Sequence, residues 1–176
     1  QTANLVMQDG KLTIRALAGA VSISTNATVP MFMAELDIKA KNDVTLKQNG
    51  TTDSSLTWGG AGGSIESTDG NITIEQKSST YVISTLNAVS LNAGGTVTVK
   101  RNTEGTALAS MVNGIPTTGV IQLVDGTKKG TIVDGTIYTA SGCIHPKRIN
   151  GKCVVCADQE PVASIIDASG NEANYN

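Results

Sequence analysis

Cysteine is missing from the first 140 residues of this chain, and aromatic side chains are scarce: one Trp, one Phe and three Tyr. An aromatic-centred globular core is therefore excluded, and the apolar content is Val, Ile, Leu and Ala, the side chains of a stacked β interior. Charge is also sparse, with 13 basic against 15 acidic residues and a net charge of −2. Nucleic acid is not an expected partner, because binding it needs a clustered basic surface that displaces counterions. The one basic cluster is Lys147, Arg148 and Lys152. No apolar run approaches the ~18 residues of a membrane-spanning helix. No segment carries a sustained apolar stripe of helical period, so helix content is expected to be close to zero. The chain opens in mid-pattern on "QTANLVMQDGKLTI", without an initiator Met or a signal peptide, and reads as a piece of a longer polypeptide.

What is present is a repeat. Short segments of alternating aliphatic and polar residues recur at 10–16 ("GKLTIRA"), 19–25 ("GAVSIST"), 35–40 ("ELDIKA") and 42–48 ("NDVTLKQ"). They continue at 54–60 ("SSLTWGG"), 70–76 ("GNITIEQ"), 87–93 ("NAVSLNA") and 95–101 ("GTVTVKR"). Period-two alternation specifies strands. Short gaps (Leu12 to Val21, Leu36 to Val44, Val89 to Val97) alternate with longer ones, as two strands of one coil followed by a wider return would give. Asn-Gly and Asp-Gly pairs, such as Asp69-Gly70 and Asn113-Gly114, also suit the hairpins of an antiparallel sandwich. The spacing favours a parallel β-solenoid, in which inward aliphatics stack from coil to coil at about 4.8 Å and each coil touches only its neighbours. The fold expected of the whole chain is a right-handed parallel β-helix.

Within this pattern, "LTIRALAGAVSIS", "STDGNITIEQ" and "VSLNAGGTVTVK" resemble the haemagglutinin-type repeats of filamentous haemagglutinin-like exoproteins, the large adhesins of the two-partner secretion pathway. The resemblance covers about residues 4–101, and the Asn-Pro-Asn motifs of that family's secretion domain are missing. It implies a secreted, surface-attached stalk whose partners would be an outer-membrane two-partner transporter and, through distal regions outside this chain, a host or matrix receptor. Residues 1–101 would be the repeats and 102–140 the terminal coils or a cap. Residues 141–176 would be a cysteine-containing tail, with one apolar stretch, Val162–Ile166, as a last strand or free end.

The tail holds "SGCIHPKRINGKCVVCADQE", with all three cysteines, Cys143, Cys153 and Cys156, and the only histidine, His145. Four readings are open. Cys143, His145, Cys153 and Cys156 are all zinc ligands by type and include one C-x-x-C knuckle, but a single residue between Cys143 and His145 is tighter than usual spacing. A disulfide from Cys143 to Cys153 or Cys156 would close a loop in which Pro146 and Asn150-Gly151 supply turn chemistry, and oxidising conditions outside the cell would favour it. Such a bridge would either staple a cap or, as the adhesin resemblance implies, form a hook that jams in the transporter and retains the stalk. A redox C-x-x-C lacks the βαβ context it needs. The disulfide readings are preferred, with no metal or other cofactor, and three cysteines leave one over.

An enzyme is not expected. Any histidine triad must use His145, and the acids Glu35, Asp37, Asp43, Asp53, Glu66, Asp69 and Glu75 are scattered near turns. The Gly-rich "WGGAGGS" at 58–64 is followed by no helix whose N-terminus could take a phosphate. Asn26, Asn49 and Asn71 stand in glycosylation sequons. "VPMFM" at 29–33 interrupts the repeat, either as an insertion packed on the coils or as a contact patch. The expectation is a membrane-proximal structural stalk. Its rivals are a self-assembling extracellular or phage fibre, in which copies of the chain join, and a β-helix carbohydrate-active enzyme with carboxylates clustered on one face of adjacent coils.

Overall fold

The computed structural model describes residues 11–25, 31–49, 56–77, 89–102, 105, 107–108, 111, 119–159, 164–166 and 172–174. They form strands and turns, with no α-helix among them. The chain divides into two compact units, Gln1–Tyr138 and Thr139–Asn176.

In the first unit the chain alternates between two sheets. Strands β1 (Lys11–Ala16), β3 (Met31–Ala40), β5 (Leu56–Ser67) and β7 (Val89–Ala93) lie side by side in one. The second contains β2 (Val21–Thr25), β4 (Val44–Gln48), β6 (Ile72–Gln76) and β8 (Val97–Arg101), followed by β9 (Val120–Asp125), β10 (Lys128–Val133) and β11 (Thr136–Tyr138). Pairing is parallel from β1 through β7 and from β2 through β9. Partners such as Val21 and Val44, then Val44 and Ile72, lie one sequence repeat apart, so the ladder repeats the paired spacing of the sequence.

Like residues stack on like. Leu46 pairs with Ile23 on one side and Ile74 on the other, and Ile74 with Val99. Leu36, Ile38, Val44, Leu46, Ile65, Ile72, Ile74, Val89 and Val99 are almost wholly buried in one cluster drawn from both sheets. Each such side chain contributes about 1.5–3 kcal/mol on leaving water.

The corners stack as well. Asn71 donates its backbone N–H to Asp43 Oδ1 at 2.8 Å, and its own Oδ1 accepts from Thr96 N at 2.8 Å and Thr96 Oγ1 at 2.9 Å. Three successive turns are thereby tied by side chains that satisfy backbone donors left over from the strands.

The parallel ladder ends in an antiparallel meander. β10 folds back on β9, pairing Lys128 with Asp125, and β11 folds back on β10, pairing Thr136 with Val133. This closes one end of the second sheet with short strands, which limits the edge available to another chain. Strands β9, β10 and β11, within the 102–140 segment expected to be terminal coils or a cap, thus belong to the same sheet as β2, β4, β6 and β8.

Several expectations resolve here. The eight alternating segments coincide with β1 to β8, but β5 is far longer than the 54–60 segment: it runs through the Gly-rich stretch to Ser67. The apolar 29–33 segment does not simply interrupt the repeat, since Met31–Met33 begin β3 and pair with Leu56–Trp58. The contacts of its side chains lie outside the described residues.

Candidate metal centre

The second unit is built around the cysteine segment. β12 (Arg148–Ile149) and β13 (Lys152–Cys153) make a minimal antiparallel hairpin joined by Asn150 and Gly151, with φ of 51° and 74°. Two successive left-handed residues are what a tight type I′ turn requires, which explains Asn-Gly here. After β13 the chain turns tightly through Val154, Val155 and Cys156. Ala157, at φ 60°, brings it back so that Ala157 N donates to Cys153 O at 2.9 Å and Cys153 N to Asp158 O at 2.8 Å. A further short hairpin, β14 (Ser164–Ile166) with β15 (Glu172–Asn174), lies in the same unit and includes part of the expected apolar last strand.

These turns bring the four residues together. One ligand atom from each of Cys143, His145, Cys153 and Cys156 lies within 4.8 Å of all the others. Cys143 Sγ and Cys153 Sγ are 3.6 Å apart, and Cys156 Sγ is 3.4 Å from His145 Nδ1. The one-residue spacing between Cys143 and His145 is accommodated because His145 adopts a left-handed backbone, φ 51°. The sulfurs also receive backbone donors: His145 N lies 3.4 Å from Cys143 Sγ, and Val155 N lies 3.4 Å from Cys153 Sγ.

All three cysteines are free thiols. Neither the Cys143–Cys153 nor the Cys143–Cys156 bridge of the disulfide readings is formed in this structure. A bond would draw two sulfurs in to about 2.05 Å.

The thiols are differentiated. Burial pushes the Cys153 thiol up, but the N–H groups of Cys156 and Val155, with His145 and Cys143, outweigh it and bring it down to about 6. Burial raises the Cys143 thiol; its hydrogen bond from the His145 backbone opposes this, and the neighbouring thiols Cys156 and Cys153 reinforce it. Two residues outside the expected set complete the site. Asp158 Oδ2 lies 3.7 Å from His145 Nε2, and Arg148 reaches the same carboxylate from 3.4 Å while donating to Asp158 O at 2.8 Å and Gly151 O at 3.2 Å. In the sequence Arg148 stands out only as part of the basic cluster, and Asp158 carries no signal, because its role depends on the return of the chain after Cys156.

Carboxylates elsewhere are arranged differently. Glu35 and Asp37 share a face of β3, but Lys11 Nζ lies 2.6 Å from Glu35 and Arg15 Nη2 lies 2.6 Å from Asp37. The hydrogen bond from Arg15, against burial and aided by Ser64, holds Asp37 below the usual carboxylate range. Burial would raise Glu75, but Asn102, Lys100 and Lys47 hold it low. A general acid at neutral pH needs the opposite shift. Of the sequons, Asn49 is exposed and donates to Ser24 Oγ at 2.8 Å, Asn71 is committed to the corner ladder, and Asn26 lies outside the described residues.

Comparison with family models, curated proteins and solved structures finds no match.

Proposed function

We propose that this chain is a non-catalytic structural element: a right-handed parallel β-helix serving as the membrane-proximal stalk of a large secreted adhesin. The observation that carries this reading is the in-register parallel ladder, in which Ile23, Leu46, Ile74, Val99 and Leu123 follow one another strand by strand. Such a stack extends by about 4.8 Å per coil without changing its cross-section, so it supplies length and stiffness. The paired, low-pKa carboxylates favour this over a carbohydrate-active enzyme. The antiparallel β9–β11 meander favours a terminated stalk over a fibre that joins end to end, since it closes that end of the sheet.

In this reading the second unit acts as a compact terminal knob that keeps the stalk on the outer membrane through its secretion transporter. The test is secretion of the parent protein from its native host, with Cys143, Cys153 and Cys156 all changed to Ser. Release of the variant into the medium, with the wild type retained on cells, is the expected result. Equal retention of both overturns the anchoring role, and a compact rather than elongated particle by small-angle scattering overturns the stalk.

A further inference from the structure

We infer that Cys143, His145, Cys153 and Cys156 form a structural zinc site that closes the second unit. This inference goes beyond the stalk reading and does not depend on it.

Geometry is the first argument. A tetrahedral zinc with bonds of about 2.3 Å to sulfur and about 2.0–2.1 Å to nitrogen has ligand–ligand edges of roughly 3.5–3.8 Å. Two of the six separations, 3.6 Å between Cys143 Sγ and Cys153 Sγ and 3.4 Å between Cys156 Sγ and His145 Nδ1, are close to those edges, and the others lie within 4.8 Å, so small side-chain movements would complete the tetrahedron. A disulfide would use two of the four groups and leave a thiol and an imidazole gathered for no purpose. A metal uses all four.

The surroundings are the second argument. Thiolate ligands carry negative charge, and the N–H groups of His145 and Val155 already point at two of the sulfurs. Nδ1 of His145 faces Cys156 Sγ while Nε2 faces Asp158, itself gripped by Arg148. At 3.7 Å the contact from Nε2 to Asp158 is longer than a hydrogen bond, and a shortening to about 3 Å would give the carboxylate–histidine arrangement that fixes ring orientation around a metal. Three sulfurs and one imidazole select zinc over the hard cations calcium and magnesium, which take oxygen.

On binding, each thiol that is still protonated releases its proton to solvent, His145 contributes the lone pair of neutral Nδ1, and no electron is transferred. The second unit is small and has few buried apolar side chains among its described residues, so closure by a metal would supply much of its stability.

The test is metal stoichiometry of the full chain in reducing buffer. Native mass spectrometry should find one zinc per chain, removed by a strong chelator, and cobalt(II) in its place should give the intense visible bands of tetrahedral thiolate coordination. Cys156→Ser and His145→Ala should each abolish the one-to-one complex while the far-ultraviolet signal of the parallel sheets is kept. Asp158→Asn should retain the complex with affinity weakened about 10–100-fold. No zinc above that of a Cys143→Ser/Cys153→Ser/Cys156→Ser variant, or octahedral cobalt spectra, would overturn the inference. So would a Cys143 disulfide in the natively produced protein.

Discussion

Arg101 and Asp125 face each other across β8 and β9 with neither side chain exposed at all: Arg101 Nε and Nη2 each donate to a different Asp125 oxygen at 2.8 Å. The same carboxylate accepts from Gly105 N at 2.9 Å, and the guanidinium also donates to Ala107 O at 3.0 Å. The pair thus ties the last parallel strands to the connection between them. Burial works against the Asp125 charge, but Arg101 and the Gly105 amide hold its carboxyl below the ordinary 3.8. Asp125→Asn strands a buried guanidinium and is expected to cost about 3–5 kcal/mol in urea unfolding. Replacing both, Arg101→Met with Asp125→Leu, should recover most of that loss. Because the native pKa is depressed, the stabilisation is present above pH 3.8 and is lost as pH falls through the lower native value. A double replacement no better than Asp125→Asn would show that the pair supplies more than charge balance.

The aliphatic columns predict a graded cost. Leu46 is fully buried between Ile23 and Ile74, so Leu46→Ala should destabilise the first unit by about 2–5 kcal/mol, read from the shift in the urea midpoint at constant slope. Leu17, 71% exposed, should tolerate the same change within about 0.5 kcal/mol.

Stacked corners leave no room for side chains at particular glycines. A Cβ on Gly94 would lie 2.2 Å from Thr68 O, a backbone atom of the turn after β5, whereas one on Gly19 would meet nothing within 4 Å. Gly94→Ala should therefore cost about 1–3 kcal/mol by forcing the corners apart. Gly19→Ala should be neutral or stabilising by up to about 1 kcal/mol, through loss of unfolded-chain freedom. Equal effects in thermal unfolding would mean that the corners are not packed as described.

How much of this was legible in the sequence depended on whether one residue or a whole chain path carried the information. Strand positions were legible because alternation is local. The full length of β5 was not, because "WGGAGGS" offers no alternation: Gly62 and Gly63 sit at φ 98° and 145°, beside the register shift between Met33 and Glu35. The buried polar column of Gln48, Gln76, Arg101 and Asp125 was legible in principle. Each lies two residues beyond a buried aliphatic, Leu46, Ile74, Val99 and Leu123, and period two puts it on the same inward face. Residue type suggested surface and parity said otherwise; parity won. For the cluster of Cys143, His145, Cys153 and Cys156 the residue types were legible, but their spacing argued against a shared site, because a positive φ at His145 is uncommon for a residue other than glycine and depends on the path of the whole segment.

The thiols offer a direct reading of the site before any metal is added. In the reduced, metal-free chain, cysteine ¹³Cβ shifts followed against pH should show Cys153 titrating at about 6 and Cys143 above its ordinary 9.0. The signs then differ. The depressed Cys153 value gives the second unit stability that is present above pH 9 and lost as pH falls through about 6. The raised Cys143 value gives stability that is present below 9.0 and lost as pH climbs through its native value. The second unit should therefore gain stability from pH 6 toward 9 and lose it beyond. Val155→Pro removes the backbone donor to Cys153 Sγ and should move the Cys153 midpoint upward, leaving that of Cys143 above 9.0. Identical midpoints for the two cysteines would mean that the amide donors do not converge on Cys153 in solution.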